Sequence, residues 1–309
     1  MSRIAYVDIS KGIVISLMVI GHTSIPTWLS NWIWSFHMPF FFFISGMTTN
    51  WDNKTFWPFF KNKIPTLVLP FFLYSIINLL CIPLYSLGNC AEWGMQIRDI
   101  AFNGWGGIAL WFLPVFWFAI IISKTIPKKH LSLFAFIFAI IGSILCHYHI
   151  VLPWAISSIP IAIVYFLMGR LISVHGSFGN FIQNLPNTSK FLIAGICLTL
   201  NILISQNFRL DIAFNQINPI LILFIGAITG ISAILFMSQW IKPHLFLGKT
   251  FSYLGRNTLE IMSLSQCIIL IINSHFHIMP LLKYIILGFI LYLFILLKQA
   301  IYRRIGLAK

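Results

Sequence analysis

Charge is what this sequence has least of. Its 309 residues hold six acids and 20 Lys or Arg, so charged side chains make up 8% of the chain, against roughly 25% in soluble domains. Hydrophobic residues reach 59%, Phe alone numbers 30, and the mean hydropathy is +0.91. A soluble globule of this size cannot hide that much apolar surface among so few charges. The scarcity therefore excludes a soluble fold and makes lipid the expected solvent. The net charge of +14 would suit a nucleic-acid binder, but such proteins gather Lys and Arg on one water-facing surface. Here the bases lie singly or in small groups between apolar runs, so no nucleic-acid partner is expected.

Also missing are internal repeats, low-complexity tracts and linkers. The chain reads as one transmembrane domain over 1–309 with no separate soluble domain. Five cysteines, Cys81, Cys90, Cys146, Cys197 and Cys267, are odd in number and lack any CxxC spacing, which argues against a disulfide framework. Cys90 and Cys146 are the two that could meet at the outer face; isolated buried thiols are the simpler reading. The first apolar segment has no small-residue cleavage site and carries Asp8, Lys11 and His22, so it reads as a retained helix and not a signal peptide.

What is present in excess is span-length apolar sequence. A spanning helix needs about 20 mostly apolar residues, and the breaks give ten candidates: 9–24, 32–49, 62–86, 108–123, 131–147, 152–172, 190–206, 217–238, 251–273 and 279–301. The fold class expected is an all-α integral membrane protein with about ten transmembrane helices in one bundle. The stretch 88–107 reads as an ordered or re-entrant loop. With both termini cytoplasmic, 17 of the 20 Lys and Arg fall on that side, leaving Arg98, Arg209 and Lys283 outside. That bias obeys the positive-inside rule, while the acids divide evenly and carry no such signal.

The polar residues of the first segment stand out. Lys11 and His22 are eleven residues apart, which on a helix puts them about 20° apart in azimuth and about 16 Å apart along the axis. Asp8 lies close to the same line. Ionisable groups inside a span usually face a bundle interior or an aqueous cavity. The alternative is an interfacial Asp8–Lys11 pair with His22 as a satisfied buried histidine.

The stretch from Tyr6 to Thr23 resembles the opening helix of the acyltransferase 3 family, integral membrane enzymes that move acyl groups onto cell-surface carbohydrates. The resemblance continues in order through Phe36-His37-Met38-Pro39-Phe40-Phe41-Phe42-Phe43-Ile44-Ser45-Gly46, Leu110-Trp111-Phe112-Leu113-Pro114, Phe166-Leu167-Met168-Gly169-Arg170 and Leu254-Gly255-Arg256-Asn257-Thr258-Leu259-Glu260-Ile261. The Asp-x-x-Lys-Gly of the first helix is similar to the fucose 4-O-acetylase-like branch. Lys11 stands where the family motif has Arg, which keeps the charge but loses the planar two-point grip. Gln266 stands where many relatives have a second His.

This resemblance implies an O-acetyltransferase of the bacterial inner membrane, using acetyl-CoA as acyl donor and a cell-surface glycan or its lipid-linked precursor as acceptor, with no metal. His22 is then the general base, since imidazole titrates near working pH, with Asp8 and His37 as its catalytic companions. His37 reads equally as a belt histidine bonded to backbone. Lys11, Lys61, Lys63, Arg170 and Arg256 are the candidates for the coenzyme phosphates. Trp111, Glu260 and Gln266 are the candidates for the acceptor side, Trp111 also fitting an aromatic belt. Glu260 follows Arg256 by four residues, so on one 251–273 helix the two would share a face, as a structural pair or as part of the coenzyme site. Ser45 and Gly46 read as close-packing residues. Of the six tryptophans towards the outer face, Trp28, Trp32, Trp34, Trp93, Trp105 and Trp154, an aromatic belt explains most. The pairs His147 with His149 and His275 with His277 lack a convergent third ligand for metal. Membrane lipid is the expected surrounding, and a homo-oligomer is left open. The competing function is a multi-pass transporter or flippase of a lipid-linked sugar, which is disfavoured because the two halves show no matching symmetry: the Asp8, Lys11 and His22 set has no counterpart after residue 150.

Overall fold

The computed structural model describes residues 4–52, 55–86, 90–104, 109–173, 176–206, 208, 210–215, 220–276 and 279–304. Trp105, Arg209 and His277, named above, lie outside the described residues, as do Arg3, Lys54 and Lys309 among the 17 bases assigned to the cytoplasmic side. The described chain is helical throughout, with no strand. Its helices are α1 (Ala5–Gly21), α2 (Thr27–Trp34), α3 (His37–Thr48), α4 (Phe56–Lys63), α5 (Leu69–Ser86), α6 (Cys90–Arg98), α7 (Phe112–Thr125), α8 (Leu131–His147), α9 (Ile159–Ile172), α10 (Ser177–Asn184), α11 (Asn187–Ser205), α12 (Ile220–Ile241), α13 (Leu245–Arg256), α14 (Thr258–His275) and α15 (Pro280–Arg304).

Among the described residues, six helical stretches are long and apolar enough to cross a membrane: Phe56–Ser86, Lys128–His147, Pro153–Ile172, Asn187–Ser205, Leu221–Ile241 and Leu281–Ile301. They coincide with the expected spans at 62–86, 131–147, 152–172, 190–206, 217–238 and 279–301. The other four expected spans are shorter or divided. α1 has 17 residues and α7 has 14. The 32–49 span is α2 and α3, parted at Ser35 and Phe36. Pro39 explains that break: it has no N–H for the Ser35 carbonyl, and its ring occupies the space a continuous helix would need there. The 251–273 span is α13 and α14, parted at Asn257, whose side-chain amide donates to the Tyr253 carbonyl at 2.8 Å. That bond offers the carbonyl an alternative to the next turn of helix. The expected loop at 88–107 is partly helical, as α6 and a π turn over Asp99–Asn103.

Two glycine crossings draw the bundle together. A Cβ at Gly12 would overlap the Phe251 carbonyl and one at Gly255 the Asp8 carbonyl, so α1 and α13 touch backbone to backbone. In the same way Gly46 meets the Phe166 carbonyl and Gly169 the Phe43 carbonyl where α3 crosses α9. Lipid gives no hydrophobic drive for helix association, so close approach at small residues supplies much of the contact energy. The reading of Gly46 as a packing residue holds. Between the crossings lies a core that contains Tyr6, Phe36, Phe40, Phe42, Tyr165 and Phe166, all nearly inaccessible. α15 and α8 expose many Leu, Ile and Phe on their outer faces, as lipid contact requires.

Candidate active site

The break between α2 and α3 brings two histidines together. His22 closes the C-terminal end of α1 and His37 opens α3, and their rings stand edge to face with centroids 6.3 Å apart. Trp34, the last residue of α2, lies 5.6 Å from each ring. The hinge that makes this possible is fixed by buried polar bonds. Asn201 of α11 donates to Ser35 Oγ at 3.1 Å and to the Gly226 carbonyl at 2.7 Å, and Ser35 Oγ donates to the Trp32 carbonyl at 2.7 Å. Phe36 is fully buried against α12, where Gly230 leaves room for its ring.

Each imidazole is oriented by its own helix. His22 Nδ1 is 2.7 Å from the Met18 carbonyl and His37 Nδ1 is 3.0 Å from the Ile33 carbonyl. A carbonyl can only accept, so Nδ1 carries the proton in both rings and Nε2 is the basic nitrogen. That is the tautomer a general base needs, set in each ring by a backbone carbonyl one turn earlier.

Both rings line a cavity of about 730 Å³ together with Asn31, Trp34, Trp111, Asp211 and Gln266. Trp111, on the turn before α7, and Gln266, on α14, were placed on the acceptor side from sequence, and they meet here. The Gln266 Oε1 is buried and has no hydrogen-bond partner among the described residues; an orphan acceptor on a cavity wall fits a ligand hydroxyl. Asp211 was read from sequence only as one of the outer acids. It is 5% exposed, and its Oδ1 accepts the Ala213 N–H at 3.0 Å. The loop that carries it is pinned by Ser158 Oγ donating to the Ile212 carbonyl at 2.7 Å and by Asn215 Nδ2 donating to the Ile150 carbonyl at 2.7 Å. Asn31 and Trp34 were likewise missed, because α2 looks like the start of an ordinary span until Pro39 is taken as a break.

The other sequence candidates lie elsewhere. Asp8 and Lys11 share the His22 stripe on an unbroken α1, but Asp8 is about 21 Å down the axis from His22, so the structure does not bring it to the cavity. Lys61 is exposed on α4. Lys63 and Arg170 do meet, around a stacked pair of rings. Trp51 and Phe59 are 6.1 Å apart at 27°. The Arg170 guanidinium lies 4.8 Å over Trp51, and Lys63 and Lys124 lie 5.2 and 5.3 Å from the Phe59 centroid. Arg170 Nη1 is held by the Ser123 and Ile126 carbonyls at 2.9 and 2.8 Å, and Lys124 Nζ donates to the Trp51 carbonyl. One acid, Asp52, stands at this cluster and pairs with Lys128 at 2.6 Å; that bond holds its carboxyl below the usual carboxylate range. The cluster is therefore net cationic, and its three bases are partly exposed.

The pairing of Arg256 with Glu260 is corrected. Asn257 separates them onto different helices, so the four-residue spacing does not put them on one face. Arg256 bonds back to Ser252 within α13 at 3.0 and 3.2 Å. Glu260 forms an ion pair with Lys298 of α15 and does not line the histidine cavity. Both groups are largely out of solvent, with side-chain exposures of 7% for Glu260 and 27% for Lys298. Breaking a buried pair by removing one partner costs about 3–5 kcal/mol, while replacing both with apolar groups is often neutral. Glu260→Ala is thus expected to lower the melting temperature in detergent sharply, and adding Lys298→Met to recover most of the loss. Equal melting of wild type and Glu260→Ala would show that the pair is not structural.

Comparison with known proteins gives a family match over nearly the whole chain. The family model described as an acyltransferase domain, that of acyltransferase 3, matches residues 4–299. No curated protein and no solved structure matched the chain.

Proposed function

The chain belongs to the acyltransferase 3 family of membrane acyltransferases, and from that premise we propose that it is an O-acetyltransferase, moving acetyl from cytoplasmic acetyl-CoA to a hydroxyl of a cell-surface glycan or its lipid-linked precursor. The observation that carries this reading is the convergence of two correctly tautomerised imidazoles on one 730 Å³ cavity walled by Trp34, Trp111, Asp211 and Gln266. Aromatic faces, a carboxylate and amides are the groups that hold polyhydroxylated acceptors. The fucose 4-O-acetylase-like branch remains part of the proposal.

In the proposed reaction His22 Nε2 takes the proton of the acceptor hydroxyl as its oxygen attacks the thioester carbonyl. The C–O bond forms, and the carbonyl electrons pass to an oxyanion within reach of indole and amide N–H groups of the kind that Trp34, Trp111 and Gln266 supply. Collapse breaks the C–S bond, and the coenzyme A thiolate recovers the proton from the His22 imidazolium. His37 Nε2 accepts a second acceptor hydroxyl and fixes the sugar, with Asp211 beside it. The cationic cluster of Lys63, Lys124 and Arg170 is of the type that receives the donor's phosphates, with Lys11 between it and His22 along α1.

The proposal keeps ten crossings, both termini in the cytoplasm and a bacterial inner membrane. α1 at 17 residues is about 26 Å long, within a few ångströms of the hydrocarbon core, and the Lys and Arg asymmetry sets the sides. The deciding experiment gives purified protein in lipid nanodiscs labelled acetyl-CoA and a panel of envelope oligosaccharides. Label is expected on at least one acceptor, removable by mild base as an O-ester should be. No labelled product with any acceptor would return the chain to the transporter reading.

A further inference from the structure

We propose that Tyr284 of α15 is the residue that limits the length of the acyl chain this protein transfers, by closing the histidine cavity off from an apolar groove along α1. The inference rests on the acyl-donor reading above.

Three spaces lie in series. The histidine cavity is bounded on one side by Thr23, the residue after His22. Thr23 also lines a small chamber of about 70 Å³ with Ile272, Tyr284 and Leu287. Tyr284 and Leu287 in turn line a groove of about 920 Å³ between α1, α13 and α15. The shared residues put Thr23 and Ser24 on one side, and Tyr284 and Leu287 on the other, between the reacting end of α1 and the groove, and Thr23 and Tyr284 are bonded across that gap. Thr23 Oγ1 and the Tyr284 hydroxyl are 2.6 Å apart. Thr23 Oγ1 also donates to the Ile20 carbonyl at 2.7 Å, which uses its single proton. Tyr284 is therefore the donor to Thr23, and it has no other role in the histidine cavity.

The groove suits a hydrocarbon. Ile15, Val19, Leu254, Ile261, Leu291 and Ile295 form its walls, and its two cations, Lys249 and Arg256, lie on α13 at the end away from Tyr284, since Gly255 beside Arg256 packs at the level of Asp8. A thioester held at His22 has its acyl carbons pointing away from the coenzyme. With the Thr23–Tyr284 bond closed, those carbons end in the cavity. With it open, a longer chain passes through the chamber into the groove, where each methylene leaves water for an apolar wall. Such a transfer strengthens binding by roughly fourfold per methylene.

The test compares wild type, Tyr284→Ala and Tyr284→Phe as full-length proteins in nanodiscs. Tyr284→Phe keeps the ring and loses only the donor, so it folds where the larger truncation fails. Binding of non-reactive thioether analogues of acetyl- and dodecanoyl-coenzyme A is read by thermal stabilisation, and transfer from the matching thioesters by product mass. The dodecanoyl-to-acetyl ratio is expected to rise at least about tenfold in Tyr284→Ala, the gain of a few buried methylenes, and by a smaller factor in Tyr284→Phe. Ratios equal to wild type in whichever variants fold would overturn the gate while leaving acetyl transfer intact. A wild-type protein that binds neither thioether and transfers neither acyl group would overturn the acyl-donor reading together with it.

Discussion

His22→Ala is expected to abolish most acyl transfer while leaving the protein folded. Removing a positioned general base typically costs about 10²–10⁴-fold in rate, and no other group in the cavity has the same reach: His37 begins a different helix, and its ring centroid is 6.3 Å away. The fold should tolerate the change because His22 sits at the end of α1, is only half-buried, and bonds through Nδ1 to a carbonyl of its own helix, at Met18. The measurement is labelled acetyl transfer at equal folded abundance, judged by size-exclusion profile. A rate within threefold of wild type would remove His22 from the chemistry and shift attention to His37.

A large expected effect on stability comes from a residue with no side chain at all. Gly255→Leu forces a side chain into the Asp8 backbone, and the obstructing atoms are a main-chain carbonyl and the Gly12 nitrogen, not the flexible end of a side chain. Neither can move without separating α1 from α13, its most extensive partner. Overpacking in a tight core costs about 1–3 kcal/mol where side chains can give, so a backbone clash belongs at or above the top of that range. The expected result is loss of monodisperse protein after detergent extraction. Gly195→Ala on α11 is the matched control, since a Cβ there meets nothing within 4 Å. It should be neutral or stabilising by up to about 1 kcal/mol, as Gly gives way to a better helix former. Normal extraction of Gly255→Leu would mean that α1 and α13 do not touch as described.

How much of this was legible in the sequence depended on the kind of signal. Composition sufficed for an all-helical membrane protein, because a chain with six acids has no other stable solvent. The six long helices followed from run length alone. The divided spans did not, because hydropathy does not register a helix break: Ser35, Phe36 and Asn257 sit in stretches that average as apolar, and what parts them is a missing proline N–H and one side-chain amide. That same blindness concealed Trp34, which read as a belt residue, and Asn31, which lay just outside the expected 32–49 span. His22, His37 and Trp111 drew notice because they lie in the matching blocks, and Gln266 because it stands where many relatives have a His; all four line one cavity. Asp211 belonged to no block, and its burial depends on a loop held by Ser158 and Asn215, contacts separated by dozens of residues that no local pattern encodes. The proposed link between Arg256 and Glu260 failed for a related reason: a four-residue spacing implies proximity only along an uninterrupted helix.

The interruption at Ser35 and Phe36 also has an electrostatic meaning. A helix that starts in the interior of a bundle carries its positive dipole end there, equivalent to roughly half an elementary charge. α3 starts at His37, and both His37 and Met38 line the histidine cavity. Low surrounding polarity weakens the screening that would blunt such a partial charge at a protein surface. In the proposed reaction that partial positive end would face the negative charge gathering on a thioester oxygen, offset in part by the C-terminal ends of α1 and α2, which reach the same cavity at Gly21 and Trp34.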